Sequence, residues 1–513
     1  MKAENTTATA NGPVEPIDAS PVNKPEARKL YAARVKIFPK RVSGVFRRLK
    51  WWILSLALGI YWMTPWIRWD RGPEAPDQAI LVDLVHRRFY FFFIEIWPQE
   101  FYYVAGLLIM AGLGLFLITS VAGRAWCGYA CPQTVWTDLF IAVERWIEGD
   151  RNARMRLDKA SWSFEKIRKR LTVHAIWLLI AVATGGAWIF YFADAPTLVR
   201  QFLTLQAPPV AYTTVAILTA TTYIFAGFMR EQVCTYLCPW PRIQGAMLDE
   251  DSLIVTYNGW RGEPRSAQRK KAQAQGRPVG DCIACNVCVA VCPMGIDIRD
   301  GEQLECISCA LCIDACNAMM DKVGLARGLI SYSTLRDHNA HVGDAKATSL
   351  EQARANQRKV HVSHIVRPRT LIYFGLWSLI GIAMLISLSL RERLDLTVLH
   401  DRNPLFVTLS DGSIRNGFIV KIINMKGTAR TFQLRLDGLD NAQMWFAGGE
   451  AQRGRSLEMR VEPDQLREFR IFVSQPRKSV KPGRTDFDMI ASDSDSRESV
   501  TENAQFYAPE KGL

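Results

Sequence analysis

Histidine is scarce, with seven in 513 residues. No apolar stretch carries the paired histidines of a membrane cytochrome, and His174, His361 and His364 read as interfacial residues. No Gly-x-Gly-x-x-Gly follows a strand, and Gly112-Leu-Gly114 lies within an apolar run, where it reads as helix packing. The chain therefore offers no nicotinamide or flavin site of its own. Cysteine is absent from residues 1–126 and 317–513, which argues against a disulfide framework. The first thirty residues are polar and have no apolar core after the initiator, so a cleavable signal peptide is not expected; disorder is.

Apolar stretches of membrane-crossing length recur at 51–67, 101–121, 173–193, 210–229 and 370–390, which predicts five spans. The formal charge of +13 does not point to nucleic acid, because the excess flanks these stretches and marks cytoplasmic sides. Ten Lys and Arg lie between Lys24 and Lys50 and nine between Arg145 and Arg170, whereas the loop after the third stretch has only Arg200. That alternation predicts a cytoplasmic N-terminus and, after five spans, a C-terminal segment on the far side.

Residues 282–316 contain Cys282-x2-Cys285-x2-Cys288-x3-Cys292-Pro293 and then Cys306-x2-Cys309-x2-Cys312-x3-Cys316-Asn317. Each run has the spacing of bacterial two-cluster ferredoxins, in which the fourth cysteine serves the other cluster. Cys282, Cys285, Cys288 and Cys316 are thus assigned to one [4Fe–4S] cluster, and Cys306, Cys309, Cys312 and Cys292 to a second. Zinc ribbons place only two cysteines in each knuckle.

A second pattern ends the second and fourth stretches: Arg124-Ala-Trp-Cys127-Gly-Tyr129-Ala-Cys131-Pro132 and Arg230-Glu-Gln-Val-Cys234-Thr-Tyr236-Leu-Cys238-Pro239. This reads as an internal parallel repeat that delivers two cysteine pairs to one membrane face. On an α-helix, cysteines at i and i+4 have Cβ atoms ~5–6 Å apart, too far for a disulfide, and soft thiolates suit Cu(I). Cys127, Cys131, Cys234 and Cys238 are therefore candidate metal-handling thiols. Glu95, Glu100 and Glu144 read as solvated caps at span edges, and Met110, Met229, Met319 and Met320 as core or cluster shielding.

From about residue 391 short alternating runs appear: Leu405–Leu409, Ile414–Ile423, Thr431–Leu436, Met444–Phe446, Leu457–Val461, Phe469–Val473 and Asp486–Ile490. Turn residues such as Asp411-Gly412 and Lys426-Gly427 separate them, which predicts an antiparallel β-sandwich. With no cysteine, and only His400 near its start, a docking or shielding role is expected.

Trp126 to Thr137, the second Cys-x3-Cys-Pro, and Gly295 through Cys306 to Asn317 together resemble the cytochrome c oxidase accessory protein family CcoG/FixG/RdxA. The resemblance covers nearly the whole chain, and the departures at Ala326 and Ser331 touch no ligand. It implies an α-helical transmembrane bundle of about five spans, a two-cluster ferredoxin-like insertion and a C-terminal immunoglobulin-like β-sandwich. The corresponding segments are 1–50 (disordered and basic), 51–250 (four spans), 251–330 (two [4Fe–4S] clusters), 331–369 (linker), 370–390 (fifth span) and 391–513 (periplasmic). The family is implicated in reducing Cu(II) to Cu(I) for assembly of cbb3-type oxidase at the bacterial inner membrane. Carried over, the eight ferredoxin cysteines are cluster ligands and the four repeat cysteines copper-handling thiols. Oxidase subunits or copper chaperones are the expected partners, the electron donor is unknown, and a homodimer stays open. The rivals are a quinol-oxidising subunit that feeds a periplasmic reductase, and a non-catalytic assembly scaffold.

Overall fold

The computed structural model describes residues 16–23, 35–72, 75–347, 364–391 and 393–510, apart from 427, 450, 451, 464 and 497. His361, Gly427, residues 348–363 of the linker 331–369, and residues 1–15 and 24–34 of the expected disordered segment lie outside it. Two units form, one built on Gln78–Met384 and one on Leu385–Leu513.

Among the described residues four helices are long and apolar enough to cross a membrane: Pro98–Ala122, Phe164–Ile189, Pro209–Met229 and Pro368–Leu390. The first expected span is also helical, α1 (Val45–Met63), but it is not one of these four. Arg47, Arg48 and Lys50 occupy its early turns, so its apolar part starts only at Trp51, and a turn at Thr64–Trp66 carrying Pro65 follows its end. The remaining long helices are α2 (Tyr102–Ala122), α3 (Pro132–Glu148), α4 (Phe164–Ile189), α5 (Pro209–Thr222) and, at the far end, Pro368–Leu390. A small antiparallel sheet of β1 (Ile80–Asp83), β2 (Arg88–Phe91) and β3 (Ile94–Ile96) joins α1 to α2. Its strands are too short for alternation to announce them.

Small residues and indole N–H groups set the helix packing. Gly106 of α2 leaves room for Met384, whose Sδ would stand 2.5 Å from an added Cβ, and Trp377 Nε1 donates to the Met110 carbonyl at 3.1 Å. Trp136 of α3 and Tyr61 of α1 both donate to Thr184 of α4, at 2.9 and 2.7 Å. Gly112 has open space where a Cβ would be, so helix packing falls to its neighbours.

The ferredoxin segment is attached to this bundle at several points. Asp314 accepts the N–H groups of Phe46 and Arg47 at 3.3 and 2.7 Å, and so caps α1 from another segment. A Cβ on Gly44 would land on that carboxylate. Arg47 Nη1 also donates to both carboxylate oxygens of Asp138 of α3, at 2.9 and 2.8 Å. Part of the segment expected to be disordered is ordered: Ile17 N–H donates to Cys285 O at 3.0 Å, Val22 to Gly295 O at 2.7 Å, and Lys40 to Ala290 O at 2.8 Å. Its polar composition is offset by hydrogen bonds to loop carbonyls rather than by a core of its own.

The C-terminal unit has two antiparallel sheets. One runs β10 (Gln443–Phe446), β12 (Gln465–Gln475), β8 (Ile414–Asn424), β6 (Leu394–His400), with β7 (Val407–Thr408) beside β8; the other runs β11 (Ser456–Val461), β9 (Arg430–Asp437), β13 (Arg484–Asp493), β14 (Ser499–Tyr507). Alternate residues of both, including Phe418, Val420, Phe432, Leu434 and Met489, close one core. β14 carries too many polar residues to announce itself, whereas β6 alternates at Leu394, Leu396 and Val398 but follows so soon after the last apolar run that its start is hidden.

Candidate iron–sulfur site

The two halves of the ferredoxin segment share one backbone plan. Ala284 and Asn286 adopt φ of 49° and 55°, and their counterparts Ser308 and Ala310 adopt 50° and 59°. Left-handed residues at matched places in each Cys-x2-Cys-x2-Cys loop curl the chain so that successive N–H groups face a concavity, an arrangement suited to anionic iron–sulfur groups. Helices Val287–Val291 and Leu311–Val323 follow. β4 (Ile254–Tyr257) pairs with β5 (Ile330–Ser333) beside them.

The thiols fall into two sets of four. Cys316 faces Cys282, Cys285 and Cys288, whereas Cys292 faces Cys306 and Cys309, with Cys312 near both. A cavity between the loops is lined by Cys288, Cys292, Cys306, Cys309 and Cys312. Burial, reinforced by neighbouring thiols, pushes Cys288 and Cys292 up to about 12 and Cys306 to about 11. Such thiols stay protonated at neutral pH unless a metal replaces the proton. The all-thiol donor sets and apolar surroundings of Val255, Met294, Ile296 and Leu311 fit [4Fe–4S] clusters, which when bound supply one-electron transfer.

The paired Cys-x3-Cys-Pro motifs are not α-helical. Trp126–Ala130 and Val233–Leu237 each form a π-turn, closed by Cys131 N–H to Trp126 O at 2.9 Å and by Cys238 N–H to Val233 O at 2.8 Å. The i, i+4 face expected of them is thus replaced by a wider turn, after which Cys131 and Cys238 are extended and their prolines lead into new helices, α3 and Trp240–Met247. Proline disfavours the helical conformation for the preceding cysteine, so the i, i+4 spacing is not realised as an α-helix. The two motifs meet: Cys127 stands among Cys131, Cys234 and Cys238, and Cys234 beside Cys131 and Cys238. Burial and the other thiols push Cys127 and Cys234 up to about 12.

This third set of thiols adjoins a ferredoxin loop. A Cβ on Gly128 would stand 2.6 Å from Ile307 O and 3.0 Å from Cys309 Cα. Tyr129 donates to Cys309 O at 3.2 Å. Arg124 donates to the carbonyls of Leu304, Cys306 (3.0 Å) and Pro241 (2.7 Å), and so ties the end of α2 to the loop and to the helix after Cys238.

Residues 229–335 match a family described as a 4Fe-4S dicluster domain, residues 104–151 a 4Fe-4S binding domain, and residues 384–509 the immunoglobulin-like fold at the C-terminus of FixG. The nitrogen fixation protein FixG of Rhizobium meliloti (strain 1021) is 59% identical over 508 residues, covering 96% of this chain and 97% of that protein. This chain belongs to the FixG/RdxA family. Protein RdxB of Cereibacter sphaeroides is 61% identical over 80% of this chain and 83% of its own length, and RdxA of the same organism 57% over 88% and 91%. As a FixG/RdxA member with these domains and apolar helices, the chain is a membrane iron–sulfur electron-transfer protein.

On this FixG/RdxA chain the three glutamates fall differently from their reading, whereas Met319 and Met320 lie where expected. Glu144 is no solvated cap: it is buried between Arg154 and Arg230, the latter at 2.6 Å. Burial alone would raise its carboxyl, but the two guanidinium groups outweigh that and hold it below the ordinary range. Glu100 is buried, accepting Trp97 N–H at 3.1 Å, and Glu95 pairs with Arg88 at 3.3 Å. Met320 is buried core and Met319 packs beside the cysteines. His400 bonds Asn416 at 2.8 Å. His174 bonds Tyr223 at 2.9 Å and stacks on Phe228, lining a cavity of about 690 Å³ together with Glu144, Arg170, Trp177 and Arg230. No sequence motif signals that cavity, because its walls come from segments far apart in the chain.

Proposed function

We propose that this protein reduces Cu(II) to Cu(I) during assembly of cbb3-type cytochrome c oxidase at the bacterial inner membrane. The reading is supported most by the docking of the Cys127–Cys131 turn on the Cys306–Cys312 loop, which puts the motif at the span end against the ferredoxin segment. In it, the eight thiols of Cys282 to Cys316 hold two clusters as assigned from their spacing. On this reading α1 counts as a fifth span, the N-terminus and ferredoxin segment face the cytoplasm, and the C-terminal immunoglobulin-like sandwich faces the periplasm. Each Cu(II) takes one electron, with no bond made or broken in the chain, and the protein is recharged by a one-electron donor. Copper meets the protein at the Cys127, Cys131, Cys234 and Cys238 set, three of whose thiols are only half-buried. The chain's own residues position and insulate: Arg124 fixes the junction, while Ile307, Met294 and Leu311 keep water out. Oxidase subunits or copper chaperones receive the Cu(I).

The cavity beside His174 favours a second reading, oxidation of a quinol for delivery to a periplasmic reductase, since it combines aromatic walls with titratable groups at a span edge. One assay separates the two. Protein purified without oxygen, reduced with dithionite and desalted to remove the excess is mixed with Cu(II) and, separately, with a soluble quinone. Stoichiometric Cu(I), trapped by a chromogenic chelator, is expected; reoxidation by quinone but not by Cu(II) would reverse the choice.

A further inference from the structure

We infer that the cavity beside His174 binds the phosphate headgroup of an anionic phospholipid. Its wall carries Lys36, Arg154, Lys166, Arg170 and Arg230 against two carboxylates, Glu144 and Asp158. Glu148, buried behind the wall and 3.1 Å from Arg170, adds a third, which still leaves an excess of positive charge. A neutral quinol draws nothing from such an excess, whereas a phosphate does. The carboxylates are also engaged already: Glu144 by Arg154 and Arg230, and Asp158 by Lys36 and Arg170, each at 2.9 Å. None is left to repel an anion unscreened.

One residue of that wall has donors to spare. Arg154 is 2% exposed, yet its Nε and Nη1 have no hydrogen-bond partner in the protein. Its Nη2 donates to Glu144, its Nε lies 3.8 Å from Glu148, and the Phe38 ring packs 5.3 Å from the guanidinium, so the group is held in place while two N–H groups stay idle. Burial pulls its pKa down, and a phosphate oxygen would supply both the missing acceptors and the missing charge. The rest of the wall suits an amphiphile. Lys166 and Arg170 stand on the first turns of α4, and Val173 and Trp177 follow on the same wall, about one and two turns further into the span. The lining thus changes from charged to apolar along the direction in which a lipid changes from headgroup to chain. Beside the cavity, Trp162, Phe164 and Leu171 are exposed large apolar residues at the same end of the helix, where acyl chains would cover them and where Trp concentrates in membrane proteins. Basic pockets between spans are a known setting for anionic headgroups.

The inference does not rest on the copper reading, and it would leave the quinol reading without its cavity. The full chain, stripped of lipid in a neutral detergent, is titrated separately with phosphatidylglycerol, phosphatidylcholine and glycerol phosphate, and bound molecules are counted by native mass spectrometry. One phosphatidylglycerol per chain is expected at concentrations where neither of the others is retained. Lys166→Gln/Arg170→Gln should weaken it about 30-fold, since each Lys or Arg beside an anionic lipid contributes about fivefold. Arg168→Gln/Lys169→Gln removes the same charge from the same helix outside the cavity and should change binding by less than about threefold. Phosphatidylcholine bound as tightly would reduce the site to an apolar cleft and overturn the inference. So would glycerol phosphate bound as tightly, which marks a site for a soluble anion, or an equal loss in the Arg168/Lys169 pair, which marks general attraction to charge. If the cavity pair does not fold, Lys36→Gln at the exposed rim decides: binding weaker by about fivefold supports the lipid site, and unchanged binding refutes it.

Discussion

Replacing Arg124 by alanine tests whether the span end and the ferredoxin loop are one mechanical unit. The guanidinium is 5% exposed and donates to three carbonyls from two segments, Leu304, Cys306 and Pro241. A hydrogen bond from a charged donor contributes about 1.5–3 kcal/mol, so three give a gross figure of roughly 4–9 kcal/mol. Burial of the charge offsets part of this, as the downward shift of the Arg124 pKa by burial records. A net loss of about 3–5 kcal/mol is expected, as when one partner of a buried charged contact is removed. At roughly 2–4 °C per kcal/mol for a cooperative unit of 150–250 residues, melting in detergent should fall by about 6 °C or more. Losing a positive charge beside Cys306 should also make the cluster served by that loop harder to reduce, read as a more negative midpoint in an EPR redox titration. Arg124→Lys should recover only part of the stability, because one ammonium cannot span three carbonyls held by a planar fork. An alanine variant that melts within a degree of the parent, with the same midpoints, would refute the argument.

Gly44→Ala forces a methyl onto the Asp314 carboxylate and should cost about 1–3 kcal/mol in thermal unfolding, whereas Gly59→Ala, with open space in the same helix, should be neutral or stabilising by about 0.5–1 kcal/mol. Glu144→Gln leaves Arg154 and Arg230 facing each other and should destabilise by about 3–5 kcal/mol at pH 7. Because the Glu144 carboxyl is depressed in the folded chain, its stabilisation is complete above the unfolded carboxylate value and fades only as acid titrates it below that point. Glu148 is the reverse. Burial, with Glu144 adding to it, raises its carboxyl against the pull of Arg170, so its contribution falls as pH rises through the folded value, and Glu148→Gln should be neutral or stabilising at pH 8. Reconstitution of metal-free protein with iron and sulfide should speed up steadily from pH 7 to 9, since the thiols to be deprotonated lie near 11 to 12; a flat profile by absorbance would contradict that.

Spacing alone made the ferredoxin segment legible, because a cubane imposes its corners on a short loop and leaves a periodic record in the chain. The long helices were legible for a similar reason: lipid demands some twenty apolar residues whatever the neighbours do. The turn geometry at Cys127 and Cys234 was not, since the same spacing suits an α-helix and only the proline after each motif argues against one. Glu144 was misread as solvated because its partners, Arg154 and Arg230, are ten and eighty-six positions away. The ordering of residues 16–23 escaped composition altogether, as their partners, the loop carbonyls of Cys285, Gly295 and Met294 and the apolar clusters on which Ile17 and Ala19 pack, lie far away in the chain.

That last segment has a practical meaning. Since Ile17, Val22 and Asn23 bond Cys285, Gly295 and Met294, the beginning of the polypeptide shields one iron–sulfur loop from water. A fusion, tag or protease cut there would change how wet that loop is, and wetness shifts reduction potential, without altering a single cysteine.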